Sequence, residues 1–183
     1  VRSLFAAPDS ALWVGTDFGL AYLKAGQMTV YQTANSGLTD DAIRALWQDT
    51  AETLYVGTLQ GGLHSFDGSN WTVLNSQNSA LPDNHVRSIT ADTAGNLLVG
   101  TTGGLVYFLP DTTLVYNIQN SGLQSNNIAA LAVTVDNAIW CGTINGGIST
   151  LKNGSWNHQG VGSGLPDNTV LDLQVDSNGN VWM

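Results

Sequence analysis

The amino-acid sequence predicts an all-β fold, a β-propeller of four-stranded antiparallel blades, on three observations. A phrase of an aromatic residue or Leu, then x-Gly-Thr, and shortly afterwards Gly-Leu or Gly-Ile, occurs four times. Its first glycines, Gly15, Gly57, Gly100 and Gly142, are 42, 43 and 42 residues apart, which is the length of a propeller blade and not that of most helical repeats. Short apolar strands with turn residues roughly every 8 to 12 positions, and no helical periodicity, complete the pattern.

Each repeat is predicted to supply four strands in the same order. In the first repeat they cover residues 1–7, 12–16, 19–23 and 28–31, and a connection over 33–41 leads to the next repeat. The repeats span approximately residues 1–42, 43–85, 86–127 and 128–169, with a partial fifth over 170–183. Residues 1–183 are therefore predicted to form one propeller segment of four blades plus two strands of a fifth. Because the last 14 residues repeat the role of the first 14, a closed four-bladed ring would leave them without a sheet, so we expect a larger propeller.

Packing between blades explains the recurring apolar residues. A blade buries both faces against its neighbours, so large plates are expected there. The aromatic residues at this position are Trp13, Tyr55, Trp140 and Trp182. The single cysteine, Cys141, stands where the other repeats carry Val or Met. It is therefore predicted to be a small buried hydrophobe and not a ligand or nucleophile.

The recurring carboxylates are predicted to have a structural role. Asp49, Asp92 and Asp176 each follow the first strand of a repeat, where a carboxylate can cap a tight turn. Asp176, Asn178 and Asn180 also resemble the start of a calcium loop. Because no acidic ligand follows downstream, a hairpin with Asx hydrogen bonds is favoured.

The charge and the apolar content of the chain disfavour nucleic acid and membranes as partners. The chain has 183 residues and a formal net charge of -9, which disfavours nucleic acid and anionic membrane surfaces. No apolar run approaches the roughly 18 residues that a membrane span needs. We therefore expect neither nucleic-acid binding nor direct membrane insertion by this segment.

No catalytic or metal-binding motif is present in the sequence. His64, His85 and His158 have no metal-ligand spacing, and each is expected to be a surface residue or one with its hydrogen bonds satisfied. There is no Gly-x-Ser-x-Gly elbow and no glycine-rich phosphate loop. The sequence thus predicts no catalytic residue, no metal and no cofactor, and a segment that is not an enzyme.

The residues that depart from the repeat on an exposed edge are the candidates for ligand binding. If the first strand of each repeat is innermost, the Gly-Thr-x-x-Gly loops and the connections between repeats lie on one face, where long and variable loops favour binding. The candidates there are Asp17, Phe18, Gln60, Asp83, Asn84, His85, Asn126, Asn127, Asn145, Asp167 and Asn168, and Asp40 and Asp41 lie on the same face. Many of these are also simple turn formers.

A longer motif identifies a family resemblance. Residues Gly164 to Trp182 read Gly-Leu-Pro-Asp-Asn-x-Val-x-x-Leu-x-x-Asp-x-x-Gly-x-Val-Trp, which resembles the two-component regulator propeller repeat. The resemblance covers the whole chain, with departures at Ala7 and Thr134, where other repeats carry Asp, and at Leu98, which replaces the aromatic residue. Such repeats occur mainly in the sensor regions of bacterial hybrid histidine kinases and in some secreted proteins.

The resemblance implies a function and a location. It implies non-catalytic ligand sensing or binding, in the periplasm or outside the cell, with a glycan fragment or another small ligand as partner. The alternatives are a secreted or surface scaffold for protein contacts and, less favoured, a propeller lyase or hydrolase. An enzyme would need converging His, Tyr, Arg or metal ligands at the channel mouth, for which the sequence offers only His85.

Overall fold

Short antiparallel strands fill the chain, as seen in a computed structural model that describes all residues, 1–183. The first blade contains β1 (Ser3–Ala6), β2 (Leu12–Thr16), β3 (Gly19–Lys24) and β4 (Gln27–Tyr31). The second contains β5 (Ile43–Gln48), β6 (Leu54–Thr58), β7 (Leu63–Phe66) and β8 (Trp71–Leu74). The third contains β9 (Val86–Ala91), β10 (Leu97–Thr101), β11 (Leu105–Phe108) and β12 (Thr113–Tyr116). The fourth contains β13 (Ile128–Val133), β14 (Ile139–Thr143), β15 (Ile148–Lys152) and β16 (Ser155–Gln159).

The strands of each blade form one four-stranded antiparallel sheet in chain order. The fifth blade is represented by β17 (Gln174–Val175) and β18 (Val181–Trp182), which pair in the same way. The predicted fold class, a β-propeller with four blades and two strands of a fifth, is confirmed. The helical content is one 3-10 turn, Val161–Ser163, and the structure has no helix with the length and apolar character of a membrane span.

Two compact units divide the chain, Val1–Arg87 and Ser88–Met183. In the first unit the core is built from buried side chains that include Trp13, Leu20 and Ile43. Full burial of an aliphatic side chain of this size contributes roughly 1.5–3 kcal/mol to stability. The alternating pattern that identified the strands therefore also supplies the packing between the first two blades.

In the second unit the same strand positions form the core. Leu98, Leu105 and Ile128 are fully buried there together with Cys141. Burial raises the pKa of the Cys141 thiol to about 12, so the side chain stays uncharged at neutral pH. The prediction of a small buried hydrophobe is confirmed.

The recurring carboxylates cap turns, as predicted. Asp176 Oδ1 accepts the backbone N–H groups of Asn178 and Asn180 at 2.9 Å, and Asp49 and Asp92 accept backbone amides in the same way. Asp176 is thus the cap of a hairpin.

Trp182 of β18 is 64% exposed, and its predicted role as a plate between blades stays a prediction. Its indole Nε1 donates a hydrogen bond to Asp176 Oδ2 at 2.9 Å, and the Asn180 side chain donates to the same oxygen at 2.9 Å. Hydrogen bonds from Asn180 and Trp182 lower the pKa of Asp176 to about 2.

Close packing explains the glycine in the second strand of each repeat. A Cβ atom on Gly57 of β6 would lie 2.5 Å from Val86 Cγ1 and 3.2 Å from Ala45 Cβ. Because the first strand of the next repeat presses against this position, a side chain cannot be accommodated without movement.

We predict that Gly57→Ala lowers the free energy of unfolding by roughly 1–3 kcal/mol, because Val86 would have to leave its position. Urea denaturation followed by circular dichroism measures the change. Gly162→Ala is the control, since no atom lies within 4 Å of its Cβ position, and its effect should stay within about 0.5 kcal/mol. Equal losses for the two variants would contradict the close-packing explanation.

Candidate functional site

The loops predicted to share one edge are hydrogen bonded to one another. The Gly19 N–H donates to Asp41 O at 2.8 Å, and the Gly62 N–H donates to Asn84 O at 3.1 Å. The Gly147 N–H forms the equivalent bond to Asn168 O at 2.7 Å. We call this edge the rim and describe it separately for each unit. In the first unit the rim comprises residues 17–18, 32–42, 59–61 and 75–85, and in the second unit 117–127, 144–146 and 160–169.

Near the end of each connection between blades, one Asp or Asn side chain stabilises the conformation of that connection. Its Oδ1 atom accepts the backbone N–H of a residue seven or eight positions earlier, at 2.7–2.9 Å. The acceptors are Asp41, Asn84, Asn126 and Asn168. Three of these are predicted ligand-binding residues, and in each of them this oxygen is engaged in the fold of its own loop.

The position before it forms a local turn. Asp40, Asp83 and Asp167 accept the backbone N–H two residues further on, at 3.0, 2.7 and 2.6 Å. Asp40 also accepts the Gln60 backbone N–H at 2.7 Å, which joins two rim loops of the first unit. Asp83 and Asp167, both predicted to bind ligand, are therefore turn formers as well, and contact with a ligand stays a prediction for them.

The connection before β5 is anchored by His64 of β7, whose side chain is fully buried. His64 Nε2 accepts the Thr39 backbone N–H at 3.1 Å and lies 2.9 Å from Thr39 Oγ1. Because an amide only donates, Nε2 is unprotonated and the neutral ring carries its proton on Nδ1. Burial lowers the pKa of His64 to about 4. The expectation of a surface histidine, or of one with its hydrogen bonds satisfied, is wrong for His64, because its Nδ1 is buried without a hydrogen-bond partner. Its role in anchoring the rim connection was missed by sequence reasoning.

Asp17 is the centre of an ion-pair group in the first unit. Its carboxylate accepts from Arg2 Nε at 2.9 Å and from Arg44 Nη1 at 2.7 Å. Hydrogen bonds from Arg2 and then Arg44 hold the pKa of Asp17 below its ordinary value. The pair with Arg44 joins the first blade to the second on the rim.

Sequence reasoning missed the three arginines of the first unit. Arg2, Arg44 and Arg87 occupy the same position of their repeats, where the later repeats carry Ala129 and Leu171. They account for three of the five Lys and Arg residues in the chain. The concentration of arginine at one position of the repeat was the sequence signal that could have identified them.

His85 lies beside two of these arginines. Burial lowers its pKa, and the positive charges of Arg87 and Arg44 lower it further, against the opposing effect of Asp83 and Asp40. At neutral pH the imidazole is therefore uncharged and can donate or accept a hydrogen bond. The buried Arg87 Nε atom has no hydrogen-bond partner.

Four of the predicted ligand-binding residues have side chains that make no short hydrogen bond to the rim loops. Phe18 is 81% exposed and Gln60 is exposed in the first unit. In the second unit, Asn127 Oδ1 is buried without a partner, and exposed Asn145, at φ 64°, has Oδ1 3.4 Å from Thr169 Oγ1. No group of three or more His, Cys, Asp or Glu side chains is arranged to hold a metal ion.

Two stretches of the chain match a known repeat family. The profile of the family described as "Two component regulator propeller" matches residues 80–103 and 164–183. Both stretches contain the end of a connection and the first two strands of the blade that follows. No curated protein was found with a sequence that matches this chain.

Solved structures share the fold. The extracellular domain of BT3049 from B. thetaiotaomicron, described as a hybrid two component system, is 22% identical with a TM-score of 0.86 over 100% of this chain and 25% of that one. The extracellular domain of BT4673 from the same organism is 24% identical with a TM-score of 0.81, over 100% of this chain and 25% of that one. Virginiamycin B lyase from Staphylococcus aureus is 12% identical with a TM-score of 0.77 over 98% of this chain and 61% of that one. The chain thus spans about a quarter of the length of the first two structures.

We predict that stability falls as the pH is lowered from 6.5 toward 4, because of His64. The folded-state pKa is about 4 and the ordinary value is 6.5, so the unfolded state binds the proton first. The contribution is complete above pH 6.5 and is lost by up to roughly 2–3 kcal/mol near pH 4. Urea denaturation at a series of pH values from 4 to 7.5 measures it.

The matched variants are His64→Gln and His85→Asn. His64→Gln should remove most of this pH dependence, because glutamine can accept the Thr39 N–H without titrating. His85→Asn should retain most of it, since His85 is only partly buried. A wild-type stability that does not change over this range, or an unchanged slope in His64→Gln, would contradict the assignment.

Proposed function

Because the chain carries two component regulator propeller repeats, we propose that it is a sensing propeller of a two-component regulator and works in the periplasm or outside the cell. The fold that it shares with extracellular domains of hybrid two component systems supports this proposal. In this function the segment recognises a ligand without changing it chemically. The recognised ligand is a glycan fragment or another small molecule.

The exposure of the Phe18 ring is the observation that supports a binding surface on the rim. Its ring is 81% exposed, although its backbone is fixed by two hydrogen bonds. Thr16 Oγ1 accepts the Phe18 N–H at 3.0 Å, and Gln32 Nε2 donates to Phe18 O at 2.9 Å. An exposed aromatic side chain on a backbone held in place offers an apolar contact surface at a fixed position of the rim, and aromatic residues are frequent anchors of binding surfaces.

Polar groups of the first unit complete this surface. Asp17, next to Phe18 in sequence, holds Arg2 and Arg44 in place, and Gln60 keeps an exposed amide. Donors and acceptors beside an aromatic ring are the usual composition of a small-ligand site. A protein partner would use the same surface, but over a larger area.

A lyase is the second candidate function, and one observation favours it. His85 is uncharged at neutral pH and lies beside Arg44 and Arg87, an arrangement in which a histidine can act as a general base near positive charge. The likeness to virginiamycin B lyase concerns the fold alone. Conversion of a bound compound would distinguish this function from sensing.

We predict that Phe18→Ala weakens ligand binding at least about tenfold, because an aromatic anchor typically contributes more than 1 kcal/mol. An array of oligosaccharides of varied composition identifies the ligand, and isothermal titration calorimetry then compares the variants. The free energy of unfolding should change by less than about 0.5 kcal/mol, since the ring is exposed.

Val135→Ala is the matched control, because Val135 is 86% exposed and lies in the turn between β13 and β14, away from the rim. It should bind like the wild-type protein. Equal affinity of Phe18→Ala and wild type would contradict the role of the rim. Chromatography of the ligand after incubation provides the second result: a new product would favour the lyase or hydrolase.

A further inference from the structure

A second concave site lies in the first unit, at the edge opposite to the rim. It is a pocket of about 270 Å³ between the first and second blades, bordered by turns after β1, β5 and β7. We call it the lower pocket. Its volume suits a small molecule, slightly below the usual range for drug-sized ligands. None of the predicted ligand-binding residues belongs to it.

Aromatic rings form the inner wall of the lower pocket. The ring centroids of Trp13 and Tyr22 are 4.3 Å apart, those of Trp13 and Tyr31 are 6.0 Å apart, and those of Tyr31 and Phe66 are 5.5 Å apart. Aromatic rings present a negative electrostatic face, which attracts a positive charge within about 6 Å of the centroid. The wall therefore favours a cation as well as an apolar group.

Two buried polar atoms of the pocket residues have no partner. Trp13 is only 5% exposed, and its Nε1–H donor makes no hydrogen bond. Gln48 Oε1 is buried without a partner, while its Nε2 donates to Glu52 O at 2.9 Å and so fixes the orientation of the amide. Leaving such groups unpaired is costly in a folded protein. Neither atom is open to solvent in this structure, so a ligand with its own donor and acceptor satisfies both only after a small displacement of the pocket wall.

The mouth of the lower pocket carries negative charge. Its carboxylates are Asp9, Glu52 and Asp67, and Glu52 is the only glutamate in the chain. Lys24 neutralises Asp9 at 2.6 Å. Asp67 accepts the Ser69 and Asn70 backbone N–H groups, which lower its pKa and keep it ionised at neutral pH.

We propose that the lower pocket binds a small organic cation, an ammonium compound that also carries a hydroxyl or carbonyl oxygen. The ammonium group lies against the aromatic wall, with Glu52 and Asp67 at the mouth. The ligand oxygen accepts the Trp13 indole N–H. An anionic ligand is repelled by the carboxylates, and a neutral isostere loses the attraction to the rings and to the charges.

Choline and 3,3-dimethylbutan-1-ol test this inference, because they have the same shape and hydroxyl group and differ in charge. 3,3-Dimethylbutanoate is the anionic probe. Each is titrated at pH 7 into the ¹⁵N-labelled protein, and the Trp13 indole N–H signal is followed by NMR. That signal is assigned by through-bond experiments and by its loss in Trp13→Phe.

We expect a saturable shift with choline, about tenfold weaker binding of the neutral alcohol, and no binding of the carboxylate. Glu52→Gln should weaken choline binding about two- to fivefold, and Glu52→Lys more, without changing the affinity of the alcohol. Asp111→Asn, which removes an equal charge from an exposed turn of the second unit, should have no effect.

Three results would overturn the proposal. The first is the absence of a saturable Trp13 shift with choline in the tens of millimolar range. The second is equal affinity for choline and its neutral isostere, and the third is an equal effect of Glu52→Gln and Asp111→Asn on choline binding. Phe18→Ala leaves the lower pocket unchanged, so choline binding and rim binding can succeed or fail independently.

Discussion

Backbone amides in the connections between blades have no strand partner, and the rim depends on how they are satisfied. Side-chain oxygens supply the acceptors: Asn84 and Asn126 each bind an amide eight positions earlier at 2.8 Å. The adjacent position accepts a second amide two residues ahead. Because an unpaired amide is costly, these bonds fix the loop conformation. They also leave the side chains that the loops do not need available for contact with a ligand.

The two edges of the first unit differ in which side chains hold the loops and which remain free. On the rim, repeated side chains hold the loops, and the exposed ring of Phe18 and the ion pairs of Asp17 stand apart from that framework. At the opposite edge, turn carboxylates border an aromatic wall with an unpaired indole on Trp13. One edge therefore offers an exposed contact surface, and the other a concave, negatively charged pocket.

The fold could be predicted from sequence because each element of it recurs at a fixed spacing. Gly57 illustrates this: its position in the period identifies a blade, and the structure finds a close approach there. The site could be predicted only in part. Asn84 looks the same in sequence whether its amide faces a ligand or its own loop, and only the structure resolves this. The lower pocket combines Asp9, Glu52 and Asp67 from separate turns, so no local sequence motif predicts it.

If repeated rim side chains stabilise the fold and non-repeated ones are free for recognition, substitutions at the two kinds of position must differ in their effect on stability. The most direct measurement is the free energy of unfolding, by urea denaturation, for Asn84→Ala and Gln60→Ala. Loss of the Asn84 bond to the Ser76 N–H, 2.8 Å long, should cost about 1–2 kcal/mol. Gln60→Ala should change stability by less than about 0.5 kcal/mol. A large loss for Gln60→Ala, or none for Asn84→Ala, would contradict this division between the two kinds of side chain.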